Sequence, residues 1–242
     1  MSILLSGRLV GFVLISCLSV FFLFPGHIQA SFKVTEDAFS ISNAPGYCFA
    51  MAAFSRWYYL MHPGEPPLRK VFDKRNQQKI AKELQTFYSK NLIGLQAEYC
   101  NRYHSNQNES FKRFAEGLLK GEPRIVLLMN KGPRGAVLHA VLAYEYAPER
   151  NYIKIYDPNY INQERCVDLE RREYTSLDIT YNAICFPEVL QQEPSLVNKM
   201  ESLYAAHLEQ HKKYASVAWR GTAASPADDS SKRERYSRGP TR

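Results

Sequence analysis

Ser42-Asn43-Ala44-Pro45-Gly46-Tyr47-Cys48-Phe49-Ala50-Met51-Ala52 is the stretch on which the fold turns. Pro45-Gly46 punctuates the chain as a turn, and Ala50, Ala52 and Ala53 then favour helix, continuing to Met61. Cys48 therefore falls in the first turn of a helix. Unpaired backbone N–H groups and the positive end of the macrodipole there stabilise a thiolate over a thiol. Two readings stand at this point: a small apolar filler of the core, or a nucleophile.

A nucleophilic thiol needs a base. The chain has six histidines, His27, His62, His104, His139, His207 and His211. His27 belongs to the apolar leader described below. His62, in His62-Pro63-Gly64, ends the helix that Cys48 begins, roughly 20 Å away at about 1.5 Å rise per residue. His104 lies in a polar, loop-like run from Asn101 to Ser110. His207 and His211 are spaced i,i+4 on a charged C-terminal helix, where a solvated face is expected before a metal clamp. His139 differs. The run Ala136 to Tyr146 is apolar and rich in β-formers, so it reads as a largely buried strand. A histidine there is either a satisfied core residue or a working one.

The next run, Asn151 to Asp157, alternates apolar and polar residues as a second strand, ended by Asp157-Pro158-Asn159. Ala147 to Arg150 is short and holds a proline, so a hairpin connects the two. A loop centred on Pro148 sets His139 directly opposite Asp157 on one face; a register one residue away puts Asp157 on the other. An acid beside a histidine fixes the imidazole tautomer and stabilises its charged form. The other reading of Asp-Pro is turn punctuation.

Cysteine at a helix start, histidine in a strand and an acid ending the next strand resemble, in that order, the papain-like cysteine peptidases. Gly46, Phe49 and Ala50 around Cys48 look like the papain-type nucleophile segment. Pro45 and Phe49 stand where its tighter form has a second cysteine and a Trp or Tyr. His139-Ala-Val-Leu-Ala-Tyr and Ile155-Tyr-Asp-Pro-Asn look like the compact bacterial branch that includes leader-processing peptidases of peptide exporters, in which Asp completes the triad. The resemblance spans Asp37 to Pro187 and rests on three short segments; no exporter domain follows, so the leader-processing role is not implied. It implies Cys48 as nucleophile, His139 as proton carrier and Asp157 as its orienter. The family's oxyanion glutamine, about six residues before the cysteine, is Ser42 here. Asn43 is one residue later and is expected to supply that amide with the Cys48 N–H, or else to be ordinary loop chemistry before the turn.

At 242 residues the chain holds one sizeable core, or a core plus a tail. Residues 1–30 read as a secretory leader, with Arg8, an apolar run of 16 residues from Leu9 to Phe24, a Pro25-Gly26 break and a cleavage site before Ser31. That run is short of the roughly 20 residues a spanning helix needs. Leu14-Ile-Ser-Cys17 looks like a lipoprotein cleavage box, but the apolar run continues beyond Cys17, which favours simple export over lipidation or anchoring. With Cys48 as a free nucleophile, Cys100, Cys166 and Cys185 leave one disulfide and one thiol in an oxidising compartment, and Cys166–Cys185 is the expected pair. No cysteine or histidine spacing suggests zinc.

The net charge is +7, of which the leader contributes only Arg8. Arg220 to Arg242 carries six Lys/Arg against three Asp/Glu and little apolar content, so a disordered basic tail is expected over 219–242. Such a tail is a solvated solubilising segment, with at most weak contact to anionic surfaces. No P-loop, dinucleotide glycine pattern, nucleic-acid module or internal repeat is present.

Helices are expected over Asn76–Asn91, Phe111–Leu119 and Glu188–Ala218, the last with Leu196, Met200, Leu203 and Leu208 as a partial apolar stripe. Arg124–Met129 reads as a buried strand, and Lys131–Gly135 as the loop to the histidine strand. Helices first and an antiparallel sheet second make an α+β fold, with a papain-like catalytic domain at 31–187 and a helical extension at 188–218. The expected function is an exported thiol hydrolase, a cysteine peptidase cleaving peptide or isopeptide bonds in a protein or peptide substrate. It would be a monomer with no cofactor, metal or nucleic-acid partner. The same triad supports transglutaminase, deamidase or acyltransferase chemistry. The contrasting reading is a non-catalytic binding module on the same scaffold, holding a partner through its tail and C-terminal helix.

Overall fold

The computed structural model describes residues 31–222 apart from 45, 104–106, 133–134 and 188. The expected leader, His104 and residues 223–242 lie outside the described residues. Among the described residues six helices come first: α1 (Val34–Asp37), α2 (Cys48–Met61), α3 (Leu68–Val71), α4 (Lys74–Asn91), α5 (Ile93–Tyr103) and α6 (Gln107–Leu119). Seven strands follow: β1 (Arg124–Gly132), β2 (Gly135–Ala147), β3 (Tyr152–Tyr156), β4 (Glu164–Asp168), β5 (Tyr174–Ser176), β6 (Ile179–Tyr181) and β7 (Ala183–Cys185). A 3-10 turn at Val189–Gln192 leads into α7 (Pro194–Thr222). The class is α+β, as expected. Within the polar run, residues 101–103 instead end α5 and residues 107–110 begin α6, and β1 and β2 extend into the segment read as a loop.

Helix α2 is the axis of the core. Phe49, Ala50, Met51, Ala52, Ala53, Phe54, Trp57 and Tyr58 are all buried, an apolar girdle that runs almost all round and so requires cover on every side. Helix α4 supplies one side through Ile80, Ala81, Leu84 and Tyr88, and the Tyr88 ring stacks on Phe49 with centroids 3.7 Å apart. Asp73 starts α4 by accepting the Asn76 N–H at 2.7 Å. The sheet covers another side of α2 through β2. Two polar groups inside this girdle are buried with no hydrogen-bond partner, the Trp57 indole N–H and the Ser55 hydroxyl. Ser55→Ala removes that orphan and improves helix propensity, so it is expected to stabilise the fold by about 1 kcal/mol. The urea midpoint measures it, and a fall would show that the hydroxyl is satisfied.

Helix α7 docks on this core. Leu196, Met200 and Leu203 are buried, and the Tyr204 ring meets His62 at 4.2 Å and Trp57 at 5.8 Å. His207, expected on a solvated face, is buried, its Nε2 3.9 Å from Glu83 of α4. It continues the stripe of Met200 and Leu203, and that position on the helix faces inward. The helix also runs to Thr222, beyond the expected start of the tail at 219. Among the described residues no helix is long and apolar enough to cross a membrane.

The main sheet is antiparallel, in the order β4-β3-β2-β1-β7, and β5 and β6 form a separate ribbon. The β2–β3 hairpin departs from the expected register. Near the loop Ala147 pairs with Tyr152 and Glu145 with Lys154; past a bulge at Tyr144, Ala143 pairs with Ile155 and Leu142 with Tyr156. Continued without the bulge, the loop-end register would set Asp157 against Leu142, on the opposite face from His139. The extra residue shifts the pairing by one and brings Asp157 toward Val141, hence onto the face of His139. The expected face is kept, but His139 and Asp157 are diagonal neighbours, not directly opposed.

The disulfide also differs. Cys100 of α5 is bonded to Cys185 of β7, with Cα atoms 5.8 Å apart, and Cys166 is a free, exposed thiol. Cys166 lies in β4 at one edge of the sheet and Cys185 in β7 at the other. Four strand spacings, roughly 19 Å, separate those edges, so the expected Cys166–Cys185 bond cannot form.

Candidate active site

Cys48 is the first residue of α2, and Tyr47 before it offers no side-chain cap. The first-turn N–H groups are therefore left for other partners. Gln85 of α4 takes the Ala50 N–H with its Oε1 at 3.1 Å. Cys48 is only partly exposed. Burial pushes its thiol pKa up, but the hydrogen bond and charge of His139, with backbone hydrogen bonds from Ala140 and Phe49, more than reverse this. The thiol pKa ends below its ordinary value, which favours thiolate.

His139 is buried in β2, with its Nε2 2.7 Å from Asp157 Oδ1. Its ring also shares a side-chain hydrogen bond with Cys48. Burial alone would lower the imidazole pKa; the hydrogen bond to Asp157 and the contact with Cys48 outweigh it and push it up to about 9. Tyr181 of β6 stacks on the ring, centroids 5.7 Å apart, and limits its rotation. The other histidines with described side chains are elsewhere: His62 ends α2 and pairs with Glu65 at 3.0 Å, and His207 lies against Glu83.

Asp157 follows β3 directly and is fully buried. Its Oδ1 accepts from His139 and from the Asn159 N–H at 2.8 Å. Its Oδ2 accepts from the Tyr174 hydroxyl at 2.8 Å and the Ser176 hydroxyl at 2.7 Å. Burial would raise this carboxyl's pKa, yet these donors, His139 first, hold it below the usual carboxylate range. A buried carboxylate with every lone pair in use cannot turn away from its histidine. Tyr174, Ser176 and Tyr181 went unread in the sequence, because three-residue strands carry too little periodicity to announce themselves. Asn159 carried a signal, the Asp-Pro-Asn end of β3, but it read only as punctuation.

Asn43 sits in the same polar cluster. Its Nδ2 donates to Asn159 Oδ1 at 2.7 Å, and Asn159 Nδ2 donates to Ser176 Oγ at 2.8 Å. The amide expected to serve an oxyanion is thus engaged with Asn159, and Asn43 Oδ1 is buried without a partner. Among the described residues no group of three or more His, Cys, Asp or Glu side chains is arranged to hold a metal ion.

Chemically, the site is an acid-supported imidazole next to a thiol at a helix start, which can hold a thiolate–imidazolium pair and pass one proton. No protein-family model, curated protein or solved structure matches this chain.

Proposed function

We propose that this protein is an exported thiol hydrolase of papain-like architecture, a cysteine peptidase acting on peptide or isopeptide bonds. One observation carries the reading: the unbroken chain from the Cys48 thiol through His139 to the buried Asp157, 2.7 Å from Nε2. The papain-like part is supported by a central helix headed by the cysteine and packed on an antiparallel sheet, with His139 in one strand and Asp157 ending the next. Export is supported by the Cys100–Cys185 disulfide, a bond that oxidising compartments preserve.

In this reading the Cys48 thiolate attacks the acyl carbon, and the carbonyl electron pair moves onto oxygen. The oxyanion lies against the Cys48 N–H at the start of α2. Collapse expels the amine, which leaves with the proton from His139 and gives a thioester. Water then attacks the thioester while passing a proton back to His139. Cys48 departs as thiolate and the carboxylic product is released. Asp157 keeps the imidazole oriented throughout and stabilises its charged form.

The test is mass spectrometry of purified protein treated at neutral pH with an epoxide-type thiol electrophile, wild type against His139→Ala. Cys166 is a built-in control: it is exposed, but its thiol pKa is raised, chiefly by burial. A single modification at Cys48, lost in the variant, is expected. Labelling of Cys48 that is absent or indifferent to His139 would sink the hydrolase reading.

A further inference from the structure

Helix α4 concentrates the positive charge of the folded chain. It carries Lys74, Arg75, Lys79, Lys82 and Lys90 against the single acid Glu83, a net +4, whereas residues 31–219 together carry only +3. The rest of that stretch is slightly acidic, so the basic character of α4 is local. Lys79 and Lys82 are three residues apart, a like-charge spacing that costs helix stability. Glu83 does not relieve them: it is engaged with α7, 3.7 Å from Lys199 and 3.9 Å from His207.

These lysines line a groove of about 650 Å³ between α4 and α7. Lys79, Lys82, Lys90 and Lys199 supply its cations, and Phe87 a half-buried apolar ring. Glu83, Thr86 and Asn91 supply acceptors, and Glu83 is the one acid of the lining. The Thr86 hydroxyl donates to the Lys82 carbonyl and Asn91 Nδ2 to the Phe87 carbonyl, both at 2.8 Å, so each side chain spends a donor within the helix and keeps an oxygen that can accept. A fully ionised phosphate brings acceptors only and would meet the Glu83 carboxylate. A polypeptide brings backbone N–H donors for these oxygens, carboxylates for the lysines and an apolar side chain for Phe87. A flat membrane surface reaches the exposed Lys82 and Lys90 more readily than the half-buried Lys199 and Phe87.

We propose that the α4–α7 groove docks an acidic, extended segment of a partner polypeptide. From Lys79 to Lys90 the helix rises roughly 16 Å. An extended chain covers that length in about five residues, with side chains on one face roughly 7 Å apart. Carboxylates at alternate positions therefore meet the row of ammonium groups, whose flexible four-carbon stems take up differences in spacing. Side chains of the opposite face point to solvent or to Phe87. The groove stands on its own charge and shape and does not rest on the hydrolase reading.

The experiment follows the fluorescence anisotropy of a labelled peptide that alternates Glu with Ala and Leu, and of its Gln counterpart, at physiological salt. The protein carries Cys48→Ala, so that no bound peptide is cut. Saturable binding of the Glu peptide alone is expected. Changing Lys79, Lys82 and Lys90 together to Gln should weaken it about tenfold, and changing them to Glu should abolish it. The thermal midpoint should hold or rise in both variants as the like charges are removed. The same reversal at Lys70, Lys120 and Arg150, all exposed and outside the groove, should leave binding within about twofold once the weaker overall field is allowed for. No saturable binding, binding that survives both groove variants, or an equal loss in the control overturns the proposal. Tighter groove binding of tripolyphosphate than of the peptide would make this a phosphate site. Binding only to phosphatidylglycerol vesicles would make it a membrane contact, and either result also overturns the proposal. A midpoint that falls in both groove variants would make the lysines structural, with the same consequence.

Discussion

Asp157→Asn is expected to slow acylation of Cys48 by an acyl p-nitroanilide about 10³-fold. That is short of the roughly 10⁴-fold loss when a serine triad loses its acid, because a thiol needs less help to ionise. The cause is specific. Asp157 lifts the His139 pKa to about 9, and an amide in its place carries no charge to stabilise imidazolium. The tautomer also loses its guide, since an asparagine can present either its oxygen or its NH2 to Nε2. The pH profile carries the signature. In wild type, transfer of a proton to the leaving group needs His139 protonated, so the rate should fall as pH rises through about 9. The low-pH limb follows the depressed Cys48 thiol. In Asp157→Asn the descending limb moves to lower pH and the ascending limb to higher pH, because each partner loses part of the other's charge. The Tyr174 and Ser176 hydroxyls can rotate to donate or accept, so the fold should survive. A variant that keeps both the rate and the descending limb would show that His139 does not depend on Asp157.

The second large effect concerns stability. The Cys100–Cys185 bond closes a chain separation of 85 residues, and in the loop-entropy account removing it costs about 4.6 kcal/mol. Cys185→Ser should therefore unfold at distinctly lower urea and become indifferent to reductant, while wild type plus reductant should fall to the same midpoint. Cys166→Ser, at an exposed position, should leave the midpoint unchanged. The bond staples α5 to β7, a three-residue strand that pairs with β1 only from Leu127 to Met129. So short an edge strand has little to hold it otherwise. Equal midpoints with and without reductant would remove the bond from the stability of this fold.

Much of the site was legible in the sequence because its signals are local. Pro-Gly before Cys48 and alanines after it mark a helix start, and Asp-Pro marks the end of β3. The alternation in β3 and the apolar run of β2 mark strands and bring His139 to Asp157; that Cys48 joins them was implied only by the resemblance to papain-like peptidases. What stayed hidden depends on tertiary pairing. Cys100 and Cys166 are equivalent choices until the strand order puts β7 and β4 at opposite edges. Tyr174 and Ser176 look like ordinary residues of a polar stretch until the ribbon folds back on Asp157. Asn43 reads in the sequence as an amide for the oxyanion, and its hydrogen bond to Asn159 shows only in the folded chain. His207 looked solvated because its helix carries many charges, whereas helical periodicity aligns it with Met200 and Leu203.

The bulge at Tyr144 has a consequence for how the strand tolerates changes in length. Between His139 and the hairpin loop, β2 holds one residue more than its pairing with β3 uses. Loss of a single residue there can be absorbed by drawing the bulge straight, with Ala143 still opposite Ile155 and the acid still on the face of its histidine. Gain of a residue has no such slack. It must create a second bulge or slip the strand by one, and a slip turns the carboxylate to the far side of the sheet. Indels in this hairpin are therefore asymmetric: the strand can be shortened by one residue with Asp157 and His139 still together, but it cannot be lengthened by one without threatening their separation.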